Sequence, residues 1–244
     1  MKAIILSAGQ GTRLLPLTAE IPKCAILLHG KTVLEWQIDE LMKSGVDDIV
    51  VVTGFATDKV EQLLERRYRG QPVRTVFNPF YKVSDNLATC WIVRNEMTED
   101  FILLNGDTLF DSSVLNCLLA SRPQPITVTI DRKSSYDDDD MKVQLDGDRL
   151  TRIGKDIPLD QVDAESIGML FFRGAGVALF QRTVEHVLKT PEGTKRWYLS
   201  VINELAQTTS VGTCCIEGKP WGELDFPADL VKAEQVVKGI AERG

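Results

Sequence analysis

The 244-residue sequence predicts an α/β protein, and three observations carry that expectation. Short runs rich in Val and Ile alternate with amphipathic stretches, the order expected when parallel strands are joined by crossover helices. Hydrophobic residues make up 43% and charged residues 26%, an ordinary globular composition that supports a large core and excludes a disordered acidic tail or a low-complexity fibre. No internal repeat appears, and no Pro/Gly/Ser linker is long enough to separate two free domains, so one domain is expected.

Strands are expected at 3–7, 48–53, 73–77, 101–105 and 126–130, with helical spacing at 32–44, 57–68, 85–97 and 111–121. Thr32 and Glu35 form a capping box that starts the first long helix. After about residue 131 the texture changes. Runs 142–145 and 150–153 flank Asp146-Gly147-Asp148, which reads as a β-hairpin. Helices return at 174–189, 197–208 and 227–242.

Charge and cysteine usage narrow the function classes. With 28 Lys+Arg against 35 Asp+Glu the formal charge is −7, which argues against nucleic-acid binding through general positive charge but leaves room for a basic pocket holding a small anion. The apolar stretch from Ala3 to Leu6 is too short for a secretory segment, and no run approaches a membrane span. The five cysteines include no CxxC and no Cys/His cluster, so neither a disulfide framework nor a zinc site is expected, and a cytoplasmic location follows.

The first strand runs into Ser7-Ala8-Gly9-Gln10-Gly11-Thr12-Arg13-Leu14, where small residues let backbone N–H groups close around phosphate oxygens. A dinucleotide fingerprint would need glycine where Leu14 stands. Arg13 and Lys23 add the side-chain cations that a triphosphate, with about four negative charges, requires. Taken alone, the same features also describe a plain strand-to-loop turn with two solvated cations. A relaxed P-loop pattern over 25–32 is rejected, because Ile26-Leu27-Leu28 reads as a buried strand and Thr32 is already a helix cap; Gly30-Lys31 is then a turn.

Two acids stand out. Asp107 follows Gly106 at the carboxyl end of a central strand, where open α/β sheets bind ligands. Asp225 closes Trp221-Gly222-Glu223-Leu224-Asp225, in which Glu223 and Asp225 share one side of an extended segment. Together Asp107 and Asp225 could hold Mg²⁺, which takes a few carboxylate oxygens plus waters and substrate phosphates. Singly, Asp107 also reads as a turn or cap residue, and Asp225 as the approach to a helix entered through Pro227. Residues 137–148 carry six Asp against one Lys, the mark of a solvated loop. Lys142 and Lys155, on the hairpin arms, are candidates for an acceptor phosphate or plain surface lysines. His29 and His186 read as a strand-end and a helix residue.

Read together, Gly9-Gln10-Gly11-Thr12-Arg13-Leu14-Leu15-Pro16-Leu17-Thr18, then Pro22-Lys23, then Asn105-Gly106-Asp107 resemble the nucleotidyltransferases that activate sugar phosphates and phospho-alcohols. Four later segments resemble most the phosphocholine and phosphonate cytidylyltransferases: 84–89 (Ser-Asp-Asn-Leu-Ala-Thr), 139–143 (Asp-Asp-Met-Lys-Val), 165–169 (Glu-Ser-Ile-Gly-Met) and 221–225. The resemblance implies a mixed, mainly parallel Rossmann-like sheet with a small β-hairpin acceptor region, over a single domain 1–244. Residues 1–130 would serve mainly the nucleotide, and 131–244 the acceptor and the second metal ligand. It implies Mg²⁺-dependent transfer from CTP to phosphocholine or 2-aminoethylphosphonate with release of pyrophosphate.

By the same resemblance Ala8, Gly9, Gly11 and Thr12 contact the nucleotide, Arg13 and Lys23 hold the triphosphate, Asp107 and Asp225 the metal, and Asn86 and Thr89 flank the base. Acceptor binding falls to Asp140, Lys142, Lys155, Trp197, Trp221 and Glu223, with Tyr136 and Tyr198 as further aromatic faces for an ammonium. Read from the residues alone, Trp197 and Tyr198 are better taken as core residues opening a helix than as a cation cage. Where hexose-1-phosphate enzymes carry Gly-Thr-Ala, this sequence has Asn86-Leu87-Ala88-Thr89, which lowers the sugar-phosphate reading and, by the resemblance, favours CTP as the nucleotide. A hexose-1-phosphate or inositol-phosphate enzyme and a non-catalytic nucleotide-binding subunit are the rival readings. No nucleic-acid or membrane partner is expected, and a homodimer is compatible with the reading.

Overall fold

The computed structural model describes residues 1–243. From the start, β1 (Lys2–Leu6) leads through single 3-10 turns at Thr12–Leu14 and Lys23–Ala25 to β2 (Leu27–Leu28), β3 (Lys31–Thr32) and α1 (Val33–Lys43). Next come β4 (Asp48–Thr53), α2 (Thr57–Tyr68), β5 (Val73–Phe77), α3 (Asn86–Ile92), β6 (Phe101–Asn105), β7 (Thr108–Phe110) and α4 (Ser112–Leu119). The later half holds β8 (Ile126–Asp131), β9 (Lys142–Asp146), β10 (Arg149–Ile153), β11 (Ala164–Phe172), α5 (Ala175–Leu188), α6 (Tyr198–Thr208), β12 (Val211–Cys215), β13 (Trp221–Glu223) and α7 (Asp229–Arg243). No helix among the described residues is long and apolar enough to cross a membrane.

The chain condenses into two compact units that interleave in sequence. Unit 1 takes Met1–Val83, Leu104–Asn116 and the residues from Lys219 on; unit 2 takes Ser84–Leu103 and Cys117–Gly218. In unit 1, β1 pairs with β4 and β4 with β5, all parallel, with Ile4 opposite Val50 and Val51 opposite Thr75. Ala3 to Ile5 and Ile49 to Val52 are fully buried, the continuous apolar runs of strands covered on both faces. The capping box forms: Glu35 N–H donates to Thr32 Oγ1 (3.2 Å) and Thr32 N–H to Glu35 Oε2 (2.7 Å). A core of Leu14, Trp36, Leu109, Leu224 and Val237 ties the first loop, α1, β7, the segment after β13 and α7 together.

Unit 2 is largely antiparallel. β11 pairs antiparallel with β8 and β9, β10 pairs antiparallel with β9 and β12, and β8 and β12 run parallel. Parallel pairing thus joins β1, β4 and β5 in unit 1 and β8 and β12 in unit 2. The expected hairpin is present, its turn at Gly147 in the left-handed region (φ 61°). Phe172 stacks on Phe101 (centroids 4.7 Å) and meets Phe180 (4.4 Å) at the centre of this unit.

The differences from expectation have local causes. The helix expected over 85–97 stops at Ile92 and continues as a 3-10 turn, Arg94–Glu96, where Gln181 Nε2 donates to the carbonyls of Arg94 and Met97. The last helix begins at Asp229 instead of Pro227, because the Asp229 carboxylate accepts the N–H groups of Asp225 and Phe226. Leu27 is 68% exposed while Ile26 and Leu28 on either side are buried in the core, so the stretch expected to be a buried strand at 26–28 is buried on one face and open on the other. Strands β3, β7, β11 and β12 were not expected, and β13 only as an extended segment within 221–225.

Candidate active site

The chemistry-bearing side chains of unit 1 converge because three short segments are pinned from different directions. After β1 the loop turns at Gly11 (φ 76°), a left-handed position suited to glycine. Buried Thr18 closes it: its Oγ1 donates to the Gly11 carbonyl (2.7 Å), and its own carbonyl accepts from Gln10 Nε2 (3.0 Å). Fully buried Leu14 anchors the following turn, leaving neighbouring Thr12 and Arg13 exposed. Ala8 is buried, with its carbonyl accepting from Phe55 N–H (2.9 Å). Gly9 is exposed, and a Cβ built there meets nothing within 4 Å, so the protein's own packing does not demand glycine.

Gly106 is different: a Cβ there would stand 2.5 Å from Ser7 Oγ and 2.6 Å from the Leu6 carbonyl. Only glycine lets the end of β6 press against the end of β1, as Gly106 N–H does in donating to Leu6 O (3.0 Å). The turn that follows presents Asp107. Gln37, buried on α1, clamps it from both sides by donating to the carbonyls of Asn105 (2.8 Å) and Thr108 (2.9 Å). Sequence reasoning missed Gln37; its signal was an amide on the apolar face of α1 between Trp36 and Ile38.

The third segment arrives by strand register. β13 pairs antiparallel with β7, placing Glu223 opposite Thr108 and Gly222 opposite Leu109, and Leu224 N–H donates to the Asp107 carbonyl (3.2 Å). This short ladder brings Asp225 beside Asp107, 118 positions away in sequence. Lys23 Nζ bridges them, 2.6 Å from Asp107 Oδ2 and 2.7 Å from Asp225 Oδ1. Arg13 Nη2 reaches the same Asp225 oxygen (2.8 Å), its guanidinium over the Phe226 ring (4.7 Å). Burial alone would lower the Lys23 pKa, but Asp107 and Asp225 outweigh it and hold the ammonium above its ordinary value. Burial pushes the next residue, Cys24, up to about 12, so this thiol anchors and does not act as a nucleophile.

Asp107 Oδ1 is buried without a hydrogen-bond partner. Among the described residues no three His, Cys, Asp or Glu side chains gather as a metal site. Two converging carboxylates with one orphaned oxygen nevertheless fit a hard divalent ion that keeps waters and takes phosphate oxygens from a substrate.

The remaining expected residues divide between the units. In unit 1, Trp221 and Glu223 lie on β13, with Lys232 Nζ 5.8 Å from the Trp221 ring centroid. In unit 2, Asn86 Oδ1 accepts Tyr198 N–H (2.9 Å) and so caps α6, and Thr89 is buried on α3. Lys142 is buried, its Nζ donating to the Lys155 carbonyl (2.9 Å), while Lys155 pairs with Asp139. Asp140 pairs with Lys133 (2.7 Å). Tyr198 is fully buried and Trp197 is 43% exposed, so of these adjacent aromatics one is core and the other surface.

The nucleotidyl transferase family profile matches residues 2–140. The chain is 34% identical over 121 residues, half its length, to a choline-phosphate cytidylyltransferase of Streptococcus pneumoniae, covering 51% of that protein. It is 35% identical over 115 residues, 47% of its length, to a UTP–glucose-1-phosphate uridylyltransferase of Haloferax volcanii, covering 46%. The chain thus matches about half the length of these two curated relatives. The inositol-1-phosphate CTP transferase of T. maritima shares the fold with a TM-score of 0.83 at 24% identity, covering 99% of this chain and 96% of that one. A central mixed sheet flanked by helices, the Gly9–Gly11 loop and the matched region together establish that this chain belongs to the nucleotidyl transferase family.

Proposed function

We propose that the protein is a Mg²⁺-dependent cytidylyltransferase that joins CTP to phosphocholine or 2-aminoethylphosphonate and releases pyrophosphate, working in the cytoplasm. The observation that carries this reading is the cluster in which Lys23 bridges Asp107 and Asp225, with Arg13 on the same carboxylate, beside a glycine loop open at Gly9.

The ionised phosphate or phosphonate oxygen of the acceptor is already a nucleophile and needs no strong base. It forms a bond to the α-phosphorus of CTP as the bond to the bridging oxygen breaks, and pyrophosphate leaves with the electron pair. Arg13 and Lys23 offset the repulsion between two anions, and Lys23 stays protonated throughout neutral pH because its two acids outweigh its burial. Backbone N–H groups of the Gly9–Gly11 loop supply the uncharged donors. Asp107 and Asp225 would hold Mg²⁺, which when bound supplies further charge neutralisation at the phosphates. Recognition of the acceptor is assigned to Asp140, Lys142, Lys155 and Trp197 of unit 2.

The test is pyrophosphate release with four nucleoside triphosphates crossed against phosphocholine, 2-aminoethylphosphonate, inositol phosphate and glucose 1-phosphate. Release with CTP and one of the first two acceptors is expected. The uridylyltransferase relative, of similar identity, supports a second reading with UTP and a hexose 1-phosphate, and turnover confined to that pair would replace the first. Nucleotide binding with no release from any pair would mark a non-catalytic subunit.

A further inference from the structure

The five cysteines fall into two kinds. Cys24 and Cys90 are buried, and burial pushes the first thiol up to about 12 and raises the second as well, so both are inert. The other three gather within unit 2, where the last turn of α4 meets β12. Cys117 on α4 is half-buried and Cys214 on β12 is buried. Their sulfurs stand 3.4 Å apart, the Cys214 thiol donating to Cys117 Sγ, which in turn donates to the Cys215 carbonyl (3.8 Å). The Cys215 side chain is exposed on the other face of the strand.

Both backbones are held independently of the sulfurs. Cys214 lies opposite Thr129 in the parallel ladder of β8 and β12. Arg173 pins the end of α4 by donating from Nη2 to the carbonyls of Leu118 (3.1 Å) and Leu119 (3.4 Å). Its Nη1 donates to Thr127 Oγ1 on β8 (3.3 Å), and the guanidinium acts electrostatically on Cys214. A fixed cation beside a pair of thiols favours the thiolate that thiol–disulfide exchange needs, and the contact supplies the second sulfur. Side-chain rotation is enough to bring sulfurs this close to a bond of about 2 Å.

We propose that Cys117 and Cys214 form a reversible dithiol–disulfide site, oxidised by a low-molecular-weight disulfide, that fastens α4 to β12 and restrains unit 2 against unfolding. The half-buried Cys117, as thiolate, attacks one sulfur of the small disulfide, expelling a small thiolate and leaving a mixed disulfide. Cys214 then attacks the Cys117 sulfur, the bond between the two cysteines forms, and the second small thiolate leaves. The cysteines lose two electrons, the small disulfide gains them, and the two cysteine protons end on the released thiols. The new bond closes residues 117–214 into one covalent loop that holds most of unit 2. A cross-link over so long a loop restricts the unfolded chain far more than the folded one. In a reducing compartment the pair rests as thiols and oxidises when small disulfides accumulate. The site does not depend on which nucleotide or acceptor the protein uses.

The test is incubation of the folded full chain with oxidised glutathione, blocking of the remaining thiols with a maleimide, and peptide mapping by mass spectrometry without reduction. The wild type and Cys215→Ser should both yield a peptide joining Cys117 to Cys214, which dithiothreitol removes. Oxidation should raise the melting temperature of both by at least about 5 °C, and reduction should reverse the rise. Cys117→Ser should form no internal disulfide and show no rise. Cys214→Ser should stop with glutathione on Cys117, which separates the first attack from the second. If that buried substitution does not fold, Cys117→Ser and Cys215→Ser, at the two more exposed positions, still decide the matter. Failure of the folded wild type to form the bond, while the same oxidant forms it in urea, would overturn the proposal. So would a bond made through Cys215 instead, or a bond between Cys117 and Cys214 that leaves the melting temperature unchanged or lower.

Discussion

Each unit places one lysine between two carboxylates, and the two clusters solve the resulting charge mismatch differently. In unit 1, Lys23 between Asp107 and Asp225 is joined by Arg13, so two cations face two acids. In unit 2, Lys133 is the one cation paired with Asp140 and Glu165 among the described residues. There a proton makes up the difference. Burial pushes Glu165 up to about 7, with Asp140 adding to the shift and Lys133 opposing it, while Lys133 overcomes burial to hold Asp140 below the usual range. The same residue types thus make a centre balanced by two cations in unit 1 and a proton-poised one in unit 2.

The comparison breaks most sharply at the charged centre. Lys23→Ala and Asp107→Ala should each lose at least about a hundredfold in turnover, the effect of removing one preorganised electrostatic partner. Steady-state pyrophosphate release measures this. Chelation of divalent metal should abolish turnover in the wild type. Lys23→Ala also leaves Asp107 and Asp225 facing each other, so its melting temperature should fall and recover in part on adding Mg²⁺. Near-native turnover in either variant, with the metal requirement intact, would remove the centre from the mechanism.

A smaller effect separates ligand contact from fold within unit 1. Gly106→Ala drives a Cβ against Ser7 and the Leu6 carbonyl and should cost about 1–3 kcal/mol in urea unfolding, as overpacking does. Gly9→Ala meets open space, so stability should change by less than about 0.5 kcal/mol while KM for CTP rises about tenfold. If Gly9→Ala instead destabilises the fold and leaves KM alone, the loop is structural and the nucleotide lies elsewhere.

How much of this was legible in the sequence depends on the range over which the determining contact acts. The loop, Lys23 and Asp107 announce themselves locally, through small residues after an apolar run and an acid at a strand end. So does the Thr32–Glu35 box, which needs only three residues of spacing. The joining of Asp107 to Asp225 does not, because it depends on pairing between β7 and β13, strands of three residues with no room for a periodic signal. β11 escaped for another reason. All nine of its residues are buried, including Glu165 and Ser166, and a register shift between Ser166 and Leu170 surrounds Gly168 at φ 70°, so neither alternation nor an unbroken apolar run marks it. Lys142 was readable as a hairpin residue but not as a buried one, since its partner is a backbone carbonyl thirteen residues on. Trp197 and Tyr198 part company because Trp197 is the extended residue before α6 and Tyr198 is its first helical one.

The smallest predicted effect tests the proton-poised cluster. Glu165 has an ordinary value near 4.5 and sits at about 7 in the folded protein. Between those values the native state holds a proton that the unfolded chain has released, so the native state binds more protons and stability falls as pH rises. The contribution is present below about 4.5, is lost as pH climbs through about 7, and stays lost above it. Glu165→Gln cannot titrate. Its loss of the ion pair with Lys133 lowers stability by an offset, but the slope across this window should flatten by about 1–2 kcal/mol relative to the wild type. Asp140, held low, titrates beneath the window and leaves the difference untouched. Urea unfolding at pH 5, 6, 7 and 8 for both proteins measures the two curves. Parallel curves would mean that Glu165 stays ionised beside Lys133 across this window, and the contrast between the two lysine clusters would vanish.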